Sequence, residues 1–219
     1  LYYPLVGLLL GALLAGLHSL LHGVPVLLHA ALLLAAWEVM TGALHLDGLA
    51  DSVDAWLGGI GNRERTLAIM KDPYAGPAAV VAVVLVLLLK FSALVGLMQC
   101  SSSGWALLWP LLLARSAMPL LFLTTPYVRP AGLGSALAQH APRRAMALML
   151  LATLLGVLAV LGMRGAGLVL GCAAAFWLLR HMMMARLGGT TGDTAGALLE
   201  LLETAALILW VLMDTQTCP

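Results

Sequence analysis

Charged residues are scarce in this 219-residue chain. Asp, Glu, Lys and Arg make up 10% of it, whereas 62% of its residues are hydrophobic. Soluble domains carry about 25% charged residues, so the composition excludes an ordinary soluble domain and predicts a polytopic helical membrane protein. The net charge is +1, and no basic face of the kind that binds nucleic acid is visible.

Cysteine is also rare. Three cysteines (Cys100, Cys172 and Cys218) lie far apart and match no metal or disulfide spacing, so we interpret them as small hydrophobic residues. The chain opens at Leu1 with an apolar run that is too long for a signal peptide and lacks the cleavage flank. We therefore expect that a short N-terminal segment of the natural chain precedes residue 1.

Apolar runs long enough to cross a bilayer predict an all-α bundle of about seven transmembrane helices in a single domain. The predicted spans are residues 5–21, 25–44, 77–98, 105–124, 145–162, 166–186 and 195–213. The second span is expected to continue as a helix into residues 45–59, until the glycines at 58, 59 and 61 break it.

The distribution of Lys and Arg predicts the orientation in the membrane. Connections 2–3, 4–5 and 6–7 carry seven of these residues (Arg63, Arg65, Lys71, Arg129, Arg143, Arg144 and Arg186), and the other three connections carry only Arg164. By the positive-inside rule, the first group faces the cytoplasm. The sequence thus predicts a multi-pass protein of the cytoplasmic (inner) membrane whose acidic clusters both face the cytoplasm.

The first acidic cluster lies in residues 45–76, which hold five of the ten acids. Asp47, Asp51 and Asp54 are spaced i, i+4 and i+7, so they share one face of a helix. Three oxygen ligands on one face suit Mg²⁺ or a related ion. The alternative is a solvated helix face, which normally mixes Lys with Asp. His45 could act as a base, as a ligand or as a donor that orients a ligand.

The second acidic cluster lies near the C-terminus, where Asp193, Glu200 and Glu203 are spaced to lie within about 80° of one another on a helix. A run of Gly and Thr precedes Asp193 and offers backbone N–H groups to a phosphate; the candidates are Gly189, Thr191 and Gly192. Asp193 could equally be a helix N-cap. Carboxylates at Glu200 and Glu203 are costly within an apolar helix, which favours a functional role.

The basic residues have two interpretations. Arg63, Arg65, Lys71 and Arg129 could hold an anionic substrate, or they could meet anionic lipid headgroups. Arg115, also a candidate for phosphate binding, lies inside a predicted span and needs an acidic partner, either in one of the clusters or at Glu38. Two carboxylate groups, a Gly/Thr loop and nearby cations together predict Mg²⁺ on a diphosphate, and transfer of a phosphate-linked group at the membrane surface.

Four segments of the chain resemble one family, the cobalamin synthases (adenosylcobinamide-GDP ribazoletransferases), in order and in spacing. They are LYYPLVG (1–7), TGALHLDGLADSVDAWLGG with RERTLAIMKDPYAG (41–76), YVRPAGLG (127–134) and LGGTTGDTAGALLELLE (187–203). The resemblance covers the whole chain.

The resemblance implies that α-ribazole or its 5′-phosphate attacks adenosylcobinamide-GDP through its 5′ oxygen. Adenosylcobalamin or its 5′-phosphate forms and GMP leaves, in an Mg²⁺-dependent late step of vitamin B12 biosynthesis. By position, Asp47, Asp51 and Asp54 match the first metal motif, and the acids at 193, 200 and 203 match the second. Lys71, Asp72 and Arg129 match positions that touch phosphate or nucleotide. Homo-oligomerisation is left open.

Two positions depart from the family pattern. The family has Ser-Arg after the position of Asp72, where this chain has Pro73 and Tyr74, and a small Gly is common at Ala55. If the family's Arg binds phosphate, Arg63 or Arg65 would have to replace it.

Other functions fit some of these features. An intramembrane prenyltransferase also uses two acidic motifs and Mg²⁺. A CDP-alcohol phosphotransferase would need Arg at the position of Asp51. A transporter would be expected to show repeat symmetry and broken helices at the midplane.

Overall fold

The structure is a computed structural model that describes residues 2–100, 104–129 and 142–214. Eight α-helices are described in these ranges: α1 (Tyr3–Leu20), α2 (Val26–Met40), α3 (Leu44–Gly58), α4 (Arg63–Ile69), α5 (Pro77–Gln99), α6 (Leu108–Thr124), α7 (Arg143–Leu187) and α8 (Gly192–Asp214). A 3₁₀ turn, Gly104–Leu107, leads into α6. The described residues contain no strand, and a single parallel bridge joins Tyr127 to Thr190.

Among the described residues, five helical segments are long and apolar enough to cross a membrane: α1, α5, the 3₁₀ turn with α6, α7 and α8. Together α2 and α3 would make a sixth, but they are bent by 83°. The predicted class of polytopic helical membrane protein is confirmed.

A continuous helix from the second span into residues 45–59 is a wrong prediction. Backbone φ angles of 63° at Gly42 and 54° at Ala43 interrupt the helix, because left-handed residues end helical hydrogen bonding. The predicted break after Gly58 is confirmed, since α3 ends there. As a result α3 lies outside the five segments that could span the membrane and turns away from the axis of α2.

The long helix α7 folds back on itself. A straight helix of 45 residues would be about 68 Å long, over twice the hydrocarbon core of a bilayer. Gly162 is non-helical, with φ 55° and ψ −128°, and a Cβ built on Gly165 would lie 2.8 Å from the carbonyl oxygen of Val157. The two arms on either side of Gly162 correspond to the predicted spans 145–162 and 166–186.

Arginines at the far ends of both arms confirm this hairpin. Arg143 Nη2 donates to the carbonyl of Leu123 at 2.7 Å, and Arg180 Nη2 donates to the next carbonyl, that of Thr124. The arms are therefore antiparallel, and both pack against the C-terminal end of α6.

The connections richest in Lys and Arg meet at one end of the bundle, as predicted. Arg63 Nε donates to the carbonyl of Leu187 at 2.8 Å, and Arg186 Nη2 donates to that of Trp56 at 2.6 Å. Thr190 N donates to Pro126 O at 2.8 Å and Thr190 O accepts from Val128 N at 2.9 Å. Segments that are more than 60 residues apart in sequence thus build one surface.

The interpretation of all three cysteines as simple hydrophobic residues is wrong for Cys100, which is disulfide-bonded. It follows α5 at the end opposite to Gly76, where α5 begins. Cys172 is free and buried, as interpreted from the sequence.

Candidate active site

Helix α3 packs directly on the first turn of α8, because Gly48 has no side chain. A Cβ at Gly48 would lie 2.7 Å from the carbonyl oxygen of Asp193. This close approach places Asp47 and Asp51, one helical turn apart on either side of Gly48, beside Asp193. The structure therefore brings members of the two acidic clusters together, as the predicted topology requires.

The carboxylates in this group repel one another. Burial, together with the charges of Asp47 and Asp193, raises the pKa of Asp51 to about 6. Arg129 opposes the rise and Asp54 adds to it. Such crowding is costly unless a cation or a proton compensates for it.

Arg129 is the cation nearest to this group. Its Nη1 lies 2.6 Å from Asp193 Oδ2, in a strand-like segment after α6 that is held by the bridge between Tyr127 and Thr190. The Arg129 side chain is about one-fifth exposed, and its Nε and Nη2 are buried without a hydrogen-bond partner among the described residues. We call Asp47, Asp51, Asp193 and Arg129 the carboxylate site.

The Gly/Thr loop before α8 is closed by its own hydrogen bonds. Thr191 N donates to Thr194 Oγ1 at 2.8 Å, Thr194 N donates to Thr191 Oγ1 at 3.2 Å, and the hydroxyls of Thr190 and Thr194 lie 2.9 Å apart. Thr191 therefore caps the helix, a role the sequence offered to Asp193. A phosphate here would meet the backbone N–H groups of Gly192 and Asp193, which precede the first intrahelical bonds.

Gly189 is needed for the closure of this loop. A Cβ at Gly189 would lie 2.3 Å from the carbonyl oxygen of Pro126, so a side chain would separate the loop from the segment that carries Arg129. The structure thus gives Gly189 a packing role, and its predicted contact with phosphate stays a prediction.

Asp54 turns away from the carboxylate site and binds the start of α5. Its two carboxylate oxygens accept from the backbone N–H groups of Gly76 and, at 3.1 Å, of Ala79. A carboxylate at a helix N-terminus satisfies free N–H groups and the helix dipole. These bonds account for Asp54 structurally, and its role as a metal ligand stays a prediction.

Glu200 and Glu203 lie deeper in the bundle, fully buried. Lys90 Nζ lies 2.5 Å from Glu200 Oε1, 3.0 Å from Glu203 Oε2 and 2.9 Å from Glu38 Oε1. Arg115 also pairs with Glu203, and Trp37 Nε1 donates to Glu203 Oε2 at 2.8 Å. We call this set the buried ion-pair network.

The network provides the partner that the sequence required for Arg115, and it pairs Glu38 with a basic residue as expected. Both glutamates of the second cluster are occupied by cations, so the predicted metal ligation by Glu200 and Glu203 competes with these ion pairs. Within the described ranges, no three His, Cys, Asp or Glu side chains converge closely enough to hold an ion unaided. A metal at the carboxylate site would need further ligands from substrate or water, as Mg²⁺ usually does.

His45, in the first turn of α3, faces the network. Burial and the charges of Arg115 and Lys90 lower its pKa to about 4, which keeps the imidazole neutral at physiological pH. Its Nδ1 is buried and has no hydrogen-bond partner among the described residues. Its predicted catalytic role stays a prediction.

The remaining predicted residues lie on or beside α4. Arg65, Lys71 and Asp72 are exposed, and Asp72 accepts from Tyr74 N at 3.1 Å, which closes the turn where this chain departs from the family pattern. Met70 Sδ lies 3.8 Å from Thr191 Oγ1, so α4 packs beside the Gly/Thr loop. Arg65 and Lys71 therefore belong to the segment that borders this loop.

Three residues that make contacts in these clusters were not among the predicted site residues: Lys90, Trp37 and Thr194. A Lys in the middle of a predicted span is itself a signal, because such residues require a partner. Nothing local distinguishes Trp37 or Thr194, whose roles come from tertiary contacts.

Gly48→Ala is expected to impair the carboxylate site. The new methyl would push α3 away from Asp193 O, and overpacking of this kind costs about 1–3 kcal/mol of unfolding free energy. A thermal unfolding midpoint in detergent measures the loss. Gly16→Ala in α1, where a Cβ meets nothing within 4 Å, is the matched control, and equal midpoints for the two variants would contradict the packing argument.

Comparisons with known proteins cover nearly the whole chain. A family model described as cobalamin-5-phosphate synthase matches residues 1–211. A protein of Pseudomonas syringae pv. syringae named adenosylcobinamide-GDP ribazoletransferase is 58% identical over 213 residues, 97% of this chain and 87% of the relative. One of the same name from Pseudomonas fluorescens is 61% identical over 208 residues, 95% of this chain and 85% of the relative. No solved structure matches.

Proposed function

Since the chain belongs to the cobalamin-5-phosphate synthase family, we infer that it is an adenosylcobinamide-GDP ribazoletransferase that works in cobalamin synthesis. The assignment of the site rests on one observation, the contact between α3 and the start of α8 at Gly48. This contact places three carboxylates, from two of the four segments that carry the family resemblance, beside Arg129 from a third.

The reaction that we propose is a substitution at phosphorus. A free ribose hydroxyl of α-ribazole, or of its 5′-phosphate, forms a bond to the phosphorus next to cobinamide. The 5′ oxygen of the 5′-phosphate is already esterified and carries no proton, so another hydroxyl of that ribose is the nucleophile there. The bond between that phosphorus and the bridging oxygen of the diphosphate breaks, and GMP leaves with this oxygen. The proton of the attacking hydroxyl passes to a carboxylate of the site.

Arg129 and the first turn of α8 would bind the diphosphate. Arg129 is a bidentate donor that suits phosphate oxygens, and substrate binding would exchange part of its contact with Asp193 for contacts with phosphate. Arg63, Arg65 and Lys71 lie on the α4 side, where they can contact the guanine nucleotide or its phosphate.

The carboxylate site fits Mg²⁺ in its chemistry. It offers oxygen ligands, and burial together with the neighbouring carboxylates raises the pKa of Asp51, so a cation there would be favourable. Asp47, Asp51 and Asp193 would hold the ion, with substrate phosphates completing the ligands. When bound, Mg²⁺ would neutralise charge on the phosphate oxygens and on the leaving group.

Mg²⁺ is expected to stabilise the substrate-free protein more at pH 7.5 than at pH 5. Because the pKa of Asp51 is raised to about 6 in the folded protein, the free energy of unfolding falls as pH rises from about 4 to about 6. A bound cation offsets this loss of stability. Protons compete with the cation at low pH, so its effect is smaller there. Thermal unfolding midpoints at both pH values, with and without Mg²⁺, measure the effect. Equal shifts at both pH values would argue against carboxylate ligation.

We propose that the carboxylate site faces the cytoplasm. The connections that carry most of the Lys and Arg meet at this end, which favours the cytoplasmic side. Cys100 is disulfide-bonded at the opposite end, and disulfides persist on the oxidising side of the bacterial membrane.

The function is tested with purified protein, adenosylcobinamide-GDP, α-ribazole and Mg²⁺, with GMP followed by chromatography. GMP should form only when both substrates and the metal are present. No GMP, together with transfer from a prenyl diphosphate, would assign the site to an intramembrane prenyltransferase instead.

A further inference from the structure

Two arginines bind the helix ends that lie next to the carboxylate site. Arg63, the first residue of α4, donates from Nε to the carbonyl of Leu187, the last residue of α7, at 2.8 Å. Arg186, near the end of α7, donates from Nη2 to the carbonyl of Trp56 in the last turn of α3 at 2.6 Å. The residue that follows α3 thus binds the end of α7, and a residue at the end of α7 binds the end of α3. We call these two hydrogen bonds the arginine clamp.

Both carbonyl groups are natural acceptors for a cation. The last four carbonyls of a helix have no intrahelical partner, and the helix dipole makes that end partly negative. A guanidinium therefore satisfies a free acceptor and stabilises the helix end. The partners in the clamp are 124 and 130 residues apart in sequence, so each bond joins two distant segments.

The start of α4 is fixed against the end of α3, and this places Arg63. Asn62 Oδ1 accepts from Arg65 N at 2.8 Å, which caps α4. The hydroxyl of Thr66, which is fully buried, donates to Gly59 O at 3.0 Å. A Cβ at Gly59 would overlap this hydroxyl, so the turn that precedes α4 needs glycine there.

An apolar cluster joins the same segments. It consists of Ala55 from α3, Met70 from the end of α4 and Leu187 from the end of α7, all buried. Val128 packs against this cluster and directly precedes Arg129. The cluster therefore connects the clamp to the segment that carries the cation of the carboxylate site.

The clamp holds both segments that carry carboxylates of the site. Asp51 precedes Trp56 in α3, and the Gly/Thr loop joins Leu187 to Asp193. The contact at Gly48 fixes α3 to the start of α8 on one side of Asp51, and the clamp fixes it on the other side. Loss of the clamp would let the loop shift relative to α3, and a displacement of about 1 Å can lower an enzymatic rate about a hundredfold.

We propose that Arg63 and Arg186 are positioning residues for the reaction. By binding the ends of α7 and α3, they hold Asp193, at the start of α8, at its working distance from Asp51. The inference rests on the proposed function, which supplies the reaction. It also gives Arg186, which the sequence placed only in the positive-inside count, a part in activity.

Glutamine and methionine variants separate the nitrogens of the two arginines. The side-chain nitrogen of glutamine is the same number of bonds from Cα as arginine Nε, and methionine has the same length without a donor. Arg63→Gln therefore keeps a donor for Leu187 O and removes the guanidinium charge, whereas Arg63→Met removes both. Arg186 donates through Nη2, which neither residue reproduces, so both Arg186→Gln and Arg186→Met lose the bond to Trp56. Arg144→Met, at an exposed position of α7, is the control.

Arg63→Met, Arg186→Gln and Arg186→Met should each lower kcat for GMP release about tenfold or more. Amide hydrogen exchange, followed by mass spectrometry, should become faster in the loop peptide that contains Thr191 and Asp193. Arg63→Gln should rescue both properties to within about threefold of the wild type, and Arg144→Met should change neither. Thermal unfolding midpoints show that each variant is folded.

Two results would overturn the proposal. The first is an Arg63→Gln variant as impaired as Arg63→Met, with a raised KM for adenosylcobinamide-GDP, because the guanidinium charge and not the Nε donor would then be needed. The second is wild-type kcat and loop exchange in both Arg186 variants, which decides the matter even if Arg63→Met does not fold.

The outcome for the proposed function is separate. Wild-type protein that releases no GMP would refute the transferase reaction, whatever the loop exchange shows. GMP release by the wild type, with unchanged kcat and loop exchange in every clamp variant, would leave the transferase reaction standing and refute the clamp.

Discussion

Asp193→Asn and Asp47→Asn should each lower the rate of GMP release at least about a hundredfold, in protein that still inserts and purifies normally. Either change removes one negative charge from the site between α3 and α8. Asp193→Asn also deprives Arg129 of its partner at 2.6 Å, so the guanidinium loses the group that orients it toward phosphate. Rates of GMP release at saturating substrates, titrated with Mg²⁺, measure both effects.

Glu64→Gln is the matched control for these two variants. Its side chain is 82% exposed and lies at the same end of the bundle, so the variant tests loss of an acid without change to the site. Wild-type turnover by both aspartate variants would refute the role of the carboxylate site.

Lys90→Met should destabilise the protein by about 3–5 kcal/mol, the expected cost of leaving buried charges unpaired. The network holds two cations, Lys90 and Arg115, against three carboxylates, so its formal charge is −1. Loss of Lys90 would leave three carboxylates against one cation in the interior. Thermal unfolding in detergent and the yield of monodisperse protein measure this loss.

Glu200→Gln is the informative comparison, because it brings the formal charge of the network to zero. We expect near wild-type stability and an unchanged Mg²⁺ requirement for this variant. A strongly raised Mg²⁺ requirement would instead support Glu200 as the metal ligand that the sequence predicted. A stability as low as that of Lys90→Met would contradict the charge count.

Much of the fold could be predicted from composition and from the positions of Gly, Pro and charge. Apolar runs predict the spans because a bilayer imposes a minimum helix length, and the Lys/Arg bias correctly groups the connections that meet at one end. The hairpin in α7 was expected because residues 145–162 and 166–186 are each long enough to span. The bend between α2 and α3 was not, since Ala43 adopts a left-handed conformation that its sequence does not favour.

The candidate site was only partly predictable for a physical reason. Helical spacing shows which acids lie on the same face of a helix, but it does not show which part of the protein packs against that face. Asp54 shares a face with Asp47 and Asp51, yet it binds backbone N–H groups 22 and 25 residues later. Glu200 and Glu203 align with Asp193, yet they lie about two and about three turns deeper and meet Lys90. Asp193, at the start of α8, therefore belongs to the carboxylate site, and Glu200 and Glu203, further along the helix, belong to the buried ion-pair network.

Oxidative cleavage by Fe²⁺ bound in place of Mg²⁺ tests the location of the metal most directly. Fe²⁺ with ascorbate and peroxide cuts the backbone near the bound ion, and mass spectrometry of the fragments locates the cuts. Our account predicts cuts in α3 around Asp47 and Asp51 and at the start of α8 around Asp193, suppressed by excess Mg²⁺. Cuts centred on residues 200–203 of α8, with none in α3, would contradict it.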